Sequence, residues 1–310
     1  MKHASRLWLD VQCESKVVPG TEFHEDYCAE NGMRERLYPL FEFVFGISAN
    51  ILIDFHQHGL WDPTYHPYTL FDDGRAIANV SMFALPLVVG GKPITVAGIQ
   101  SVMTHPDYRG QGLMKRLFEV MLQDIDSGFE ASLLFTEKPN LYTKFGFQTV
   151  SESCFVLPYE HTGVCAERVR RLNAFEPSDM QLINELLHLR TPASEHFFPL
   201  HYKSSFYLNL YDQPAHERLY YAKDLNAIIV FAVNNDTLEL YDLIAPTFQT
   251  LTDVCAQIPA SFSKITLHFC PDRFTNVNWT PVPHESTLQL MVRGNFDGQK
   301  CLKYPETAKF

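Results

Sequence analysis

An apolar stretch, Val96 to Thr104, runs into the polar loop His105-Pro106-Asp107-Tyr108-Arg109-Gly110-Gln111-Gly112. The chain then continues with Leu113, Leu117, Val120, Met121 and Ile125 at helical spacing. A strand must therefore hand over to a helix within eight residues, through a loop that carries two glycines. Gly110 and Gly112 leave the backbone N–H groups at the helix start uncovered by bulky side chains, and such a terminus attracts phosphate or pyrophosphate. The Arg-Gly-Gln-Gly tetrapeptide alone fits a surface turn equally well, so its neighbours decide its meaning.

Those neighbours point to mixed α/β order. Upstream, Met33, Leu37, Leu40, Phe41 and Val44 recur at three and four residues, an amphipathic helix that Pro39 either kinks or starts. Strand-like segments follow at Tyr68 to Phe71, Ala76 to Val89 and Ile94 to Thr104, joined by Asp72-Asp73-Gly74 and Gly90-Gly91-Lys92-Pro93, as in an antiparallel meander. Downstream lie a short strand, Ala131 to Thr136, a turn or short helix, Pro139 to Lys144, and a strand, Phe147 to Leu157. At 310 residues the chain exceeds what one hydrophobic core usually fills. The polar turn 158–163 or the basic segment Arg168 to Arg171 divides it, giving expected domains at 1–160 and 166–310. The second half repeats the order faintly: a helix after Ser178, strands Leu219 to Ala222, Ala227 to Val233 and Thr237 to Ile244, a helix Phe248 to Ile258, then strands Ile265 to Phe269 and Leu288 to Val292.

About 30 residues after the glycine loop comes Leu141-Tyr142-Thr143-Lys144-Phe145-Gly146-Phe147. With both segments in this order, residues 65 to 155 resemble the GNAT superfamily of acyl-CoA N-acyltransferases. Arg109, Gly110, Gln111 and Gly112 match the family's pyrophosphate loop; Tyr142, Gly146 and Phe147 match its second motif. One position departs, since Met114 stands where Gly or Ala is usual. The pairing of one motif-bearing half with one lacking an RGxG loop resembles the tandem enhanced-intracellular-survival type acetyltransferases. The resemblance implies a GNAT fold, a mostly antiparallel central sheet flanked by helices, followed by a degenerate GNAT-like domain.

It also implies acetyl-CoA as cosubstrate. Backbone groups of Val102, Met103 and Thr104 would pair with the pantetheine arm, and the N–H groups from Arg109 through Leu113 to Met114 would hold the pyrophosphate. Tyr142 would donate a proton to the leaving thiolate. The acceptor would be a small-molecule or peptide amine. Thr95 to Thr104 contains no carboxylate, so the base is a water or a group from elsewhere; Glu137 is the best carboxylate candidate and His105 the second. The enhanced-intracellular-survival type enzymes use their C-terminal carboxylate, and this sequence also ends in Phe, at Phe310. The alternative is a CoA-binding regulatory protein that no longer turns over.

Composition narrows the partners. Lys plus Arg number 25 against 36 Asp plus Glu, a net charge of −11 that repels nucleic acid and favours cations. No apolar run approaches the ~20 residues of a membrane helix, and the first 15 residues lack a signal-peptide core, so the expectation is a cytoplasmic protein. Seven cysteines form no paired framework, in keeping with reduced thiols. Asp54, His56, His58 and His66 lack the spacing of a metal site, and none is expected. Gly90-Gly91-Lys92-Pro93 reads as a hairpin turn rather than a phosphate loop. Tyr202, Phe206, Tyr207 and Tyr211 read as packing between the halves.

Overall fold

A computed structural model describes residues 20–30, 32–163, 168–296 and 301–310. Cys13 and Cys165 lie outside the described residues, as does the N-terminal stretch considered above. Strand β1 (Thr21–Glu25) leads to helices α1 (Tyr38–Phe45) and α2 (Ala49–Gln57), then to β2 (His66–Asp72), β3 (Arg75–Val89), β4 (Lys92–Thr104), α3 (Leu113–Gly128), β5 (Ala131–Thr136) and β6 (Gln148–Thr149). Then come β7 (Ser153–His161), β8 (Val169–Arg171), α4 (Pro177–Leu189), β9 (Phe197–Pro199), α5 (Lys203–Asn209), α6 (Gln213–His216), β10 (Leu219–Ala222), β11 (Ala227–Asn234) and β12 (Thr237–Ile244). Helix α7 (Leu251–Cys255), β13 (Phe262–Leu267), β14 (Thr280–Pro283) and β15 (Gln289–Gly294) complete the order.

Two sheets result. The first runs β1-β2-β3-β4-β5-β15-β6, with β9 paired to the far end of β3; the second runs β14-β7-β13-β12-β11-β10-β8. Neighbouring strands in both sheets are antiparallel except β4 with β5 and β12 with β13. Alternation along the strands sends Leu70 and Ile77 into a core beneath α3, and Phe71 and Ala76 into one beneath α1 and α2, so helices cover both faces of the first sheet. Helix α3 buries Leu113, Leu117, Phe118, Met121, Leu122 and Ile125 along one stripe.

The sheets do not follow the division expected near residue 160. The stretch expected as one strand from Phe147 to Leu157 is two. Gln148–Thr149 pairs with β15 in the first sheet, while Ser153–His161 pairs with β13 and β14 in the second. The strand expected to close the second half, near Leu288 to Val292, lies instead between β5 and β6. Each half thus gives a strand to the other's sheet. Helix α2 is an element the sequence analysis does not include; it starts at Ser48, whose hydroxyl accepts from the Ile51 N–H. The helix expected over Phe248 to Ile258 contracts to five residues. Of the inter-half aromatics, Tyr211 bridges directly, donating to Asp54 at 2.5 Å.

Candidate active site

The site starts from a local mismatch. Strands β4 and β5 pair only from Ala97↔Ser132 to Ile99↔Leu134. Beyond Ile99 they part. On its other side β4 pairs with β3, but the register slips there: Met103 faces Asn79 and Gln100 faces Ser81, so Ser101 and Val102 share one opposing residue. That is a β-bulge, and Ser101 adopts φ +54°, a left-handed conformation that non-glycine residues rarely take. The bulge re-aims the last turn of the strand. Met103 enters the core under α1 and Val102 packs against the core under α3.

A buried polar chain holds it. Tyr27 donates to Thr69 (2.6 Å), and Thr69 to the Asn79 carbonyl oxygen (2.6 Å). The Asn79 amide donates to Ser81 (2.9 Å) and to the Ser101 carbonyl (2.7 Å), and Ser81 donates to Tyr65 (2.7 Å). Thr69, Asn79 and Ser81 are fully buried, and burial pushes the Tyr27 and Tyr65 phenols well above their ordinary value. Sequence reasoning passed over these residues. Their signal was a lone Asn and Ser inside the apolar run AIANVSMF, since buried polar groups must find partners.

Past the bulge, Pro106–Tyr108 forms a 3-10 turn and the Arg109 guanidinium reaches back to the Thr104 carbonyl at 3.3 Å. Gly110 and Gly112 both take positive φ, +77° and +75°, and a Cβ on either would meet open space; conformation, not crowding, calls for glycine here. Gly112 is the N-cap of α3. No side chain caps that helix start and its first turn holds no acidic residue, so its N–H groups face the loop without an internal acceptor. Met114, the departure from the motif, is half-buried against the core beneath the helix.

Tyr142 lies at the far side of the splay. It is buried, within 5.5 Å of the Phe118 ring and 6.3 Å of the Phe147 ring. Burial raises its phenol to about 12, and the Thr136 hydroxyl, at the end of β5, partly offsets this. Glu137, one residue on, is exposed, and so is Glu130 just before the start of β5. His105 sits edge-on to the Phe43 ring at 4.8 Å and accepts from the Asp107 N–H. The Phe310 ring lies 4.8 Å from Phe83 and 5.4 Å from Phe135, between β3 and the end of β5. Phe83 in turn fills the space beside Gly98, where a Cβ would come within 2.5 Å of the ring.

On the α1 face of the bulge opens a small cleft of about 50 Å³, lined by Phe41, Trp61, Asp62, Tyr65, Phe83 and Ser101 among others. The Trp61 indole N–H is buried there without a hydrogen-bond partner.

The second sheet has the same plan with different fillings. Strands β12 and β13 are parallel from Thr237↔Lys264 to Leu240↔Leu267. Beyond them, the carbonyls of Leu243, Ala245 and Pro246 accept from Arg190 and Thr191. Helix α7 is capped by its own Thr250 hydroxyl and carries Asp253 in its first turn. The chain itself occupies the edge and the helix start that stand open in the first sheet. Elsewhere in the second sheet, Cys154 lies 3.6 Å from His268 and 3.4 Å from His284, but burial raises its thiol to about 11. Among the described residues no group of three His, Cys, Asp or Glu has the geometry to hold a metal ion.

A sheet parted between two parallel strands, beside a glycine-turned helix start, is the architecture of the GNAT superfamily, here in tandem. Residues 33–150 match the family model described as an acetyltransferase (GNAT) domain. The fold as a whole is similar to a conserved protein of unknown function from Enterococcus faecalis (14% identity, 88% of this chain and 72% of that one, TM-score 0.57). It is similar also to Eis1 from Mycobacterium abscessus (14%, 88% and 73%, 0.56) and to a GCN5-related N-acetyltransferase from Kribbella flavida (16%, 88% and 72%, 0.52). No curated protein matches the sequence significantly. Among the described residues no helix is long and apolar enough to cross a membrane.

Proposed function

We propose that the protein is an acetyl-CoA-dependent N-acetyltransferase that moves the acetyl group directly from the thioester to a primary amine. The observation that carries this reading is the parting of β4 from β5 after Ile99, with the bulge at Ser101 turning the free edge toward the open start of α3. An extended pantetheine arm adds to such an edge as a strand would, along Val102, Met103 and Thr104. The pyrophosphate takes the N–H groups of the loop from Arg109 to Met114. Residues 1–160 supply the catalytic part. The counterpart at 166–310 is degenerate, because its own residues fill the corresponding edge and helix start.

The chemistry then balances. The neutral amine nitrogen attacks the thioester carbonyl carbon, and a backbone N–H near the bulge stabilises the oxyanion. The C–S bond breaks, Tyr142 gives its proton to the departing sulfur, and the ammonium proton leaves through a base. With its phenol near 12, Tyr142 enters the reaction protonated at every physiological pH. A thiol, at about 8.5, is a stronger acid than this phenol, so the tyrosinate regains its proton once the C–S bond is broken and the enzyme is reset for the next turnover. Glu137, exposed at the end of β5, serves as base through water, with His105 the second choice.

The cleft beside Ser101 is the acceptor site. Its aromatic walls and single carboxylate, Asp62, suit a primary amine on an apolar or aromatic body. The test is free-thiol release from acetyl-CoA with a panel of primary amines. Amine-dependent release is expected, with kcat falling about 100-fold or more in Tyr142→Phe. CoA binding without amine-dependent release would favour the regulatory alternative; full activity of Tyr142→Phe would remove the tyrosine from the mechanism.

A further inference from the structure

We infer that Arg293, on the strand that the C-terminal half contributes to the first sheet, is a positioning residue for Tyr142; the inference rests on the acid role proposed above. The placement follows from register. Arg293 faces Ser132 on β5, and Met291, two residues earlier and on the same face, is buried in the core under α3. The Arg293 side chain therefore projects toward α3 and the turn after Tyr142. Its Nε donates to the Phe145 carbonyl at 2.9 Å, and its two terminal nitrogens form a bidentate pair with Asp126 of α3.

Apart from ring packing on Phe118 of α3, the turn's own backbone hydrogen bonds are internal. Phe145 N–H bonds the Tyr142 carbonyl at 2.9 Å, Gly146 N–H bonds Thr143 at 3.0 Å, and Phe147 N–H returns to Tyr142 at 3.4 Å. Gly146 closes it at φ +87°, with the Arg293 side chain 3.7 Å from where a Cβ would stand. These bonds shape the turn without fixing it to the sheet or the helix. Arg293 supplies that connection, because a planar guanidinium can satisfy a carbonyl and a carboxylate at once. It touches neither the proposed CoA loop, at the other end of α3, nor the acceptor cleft. Its effect should reach the chemistry through the tyrosine alone.

The experiment compares Arg293→Met, Arg293→Lys and Asp126→Asn in wild-type and Tyr142→Phe backgrounds. Arg293→Met is expected to lower kcat about 10-fold with KM for acetyl-CoA changed less than about 2-fold, and Arg293→Lys to recover part of the loss. Asp126→Asn, which spares the bond to Phe145, should lower the urea midpoint while leaving kcat within about 2-fold. In the Tyr142→Phe background Arg293→Met should have almost no further effect on kcat. A readout free of turnover is the Tyr142 resonance in protein labelled at tyrosine Cζ, whose titration should move from about 12 toward the ordinary value in Arg293→Met and stay put in Asp126→Asn. An equal kcat loss in both backgrounds, or an unmoved Tyr142 resonance, overturns the inference. Full activity of Tyr142→Phe instead overturns the acid role, a separate result that the resonance does not depend on. Should Arg293→Met not fold, Arg293→Lys and Asp126→Asn give the same comparison.

Discussion

Replacing Asn79 by alanine tests the reasoning about the bulge most directly. Asn79 is fully buried and joins three partners: Thr69, Ser81 and the Ser101 carbonyl. The losses are unequal. Thr69 retains Tyr27 and Ser81 retains Tyr65, and hydroxyls can rotate toward what remains. The half-buried Ser101 carbonyl loses the amide that bonds it, at a cost of about 1 kcal/mol, the low end for an acceptor left unpaired. Lost packing of the side chain brings the expected destabilisation to about 2–3 kcal/mol. The functional consequence is larger. Ser101 is held in a left-handed conformation worth about 1–2 kcal/mol of strain, which the amide bond helps to sustain. Without it the strand relaxes toward a regular ladder, and a one-residue slip exchanges the faces of Val102 and Met103. Urea unfolding with and without CoA reads both effects: at 100 times its Kd, CoA should stabilise the wild type by about 2.7 kcal/mol and the variant by much less. A loss below about 1 kcal/mol together with an undiminished CoA effect would refute the argument.

Three further outcomes are expected. Gly112→Ala meets no atoms, but its φ of +75° should cost about 1–2 kcal/mol and weaken CoA several-fold, which thermal shift with CoA can measure. Lys303→Met should destabilise by about 3–5 kcal/mol, because a fully buried ammonium is removed from the buried Glu152 and from Glu306, and Lys303→Met/Glu152→Leu should recover part of the loss in urea unfolding. Tyr142, raised by burial from about 10 in the unfolded chain to about 12, contributes stability that is fully present below pH 10 and lost as pH rises through 12. Unfolding free energies from pH 8 to 12 should therefore fall less steeply in Tyr142→Phe than in the wild type.

The glycine loop, its helix and the tyrosine turn were legible because each is local: period, turn residues and spacing lie within a few dozen positions. Strands β5 and β12 appear at the residues expected. The bulge was not legible, since it depends on which residue of β3 faces which residue of β4, a register that sequence spacing does not specify. The same is true of Arg293, whose partners Phe145 and Asp126 are remote in the chain. The strand near Leu288 to Val292 was read correctly as a strand and assigned to the wrong sheet, because its apolar alternation suits either core. Gly98 carried a usable sign, a glycine inside an apolar strand, which marks the close approach of another group. Here that group is the Phe83 ring.

The exchanged strands set a schedule for synthesis. About 140 residues separate β6 from β15, and at roughly 5–20 residues per second a ribosome takes about 7–28 seconds to cross that interval. Throughout it, β5 has emerged with one long edge bare, and β6 has no neighbour to join. The nascent first sheet must wait, exposing a template to which other chains could add. A holding chaperone would keep that edge free until Gln289–Gly294 arrives to pair with β5.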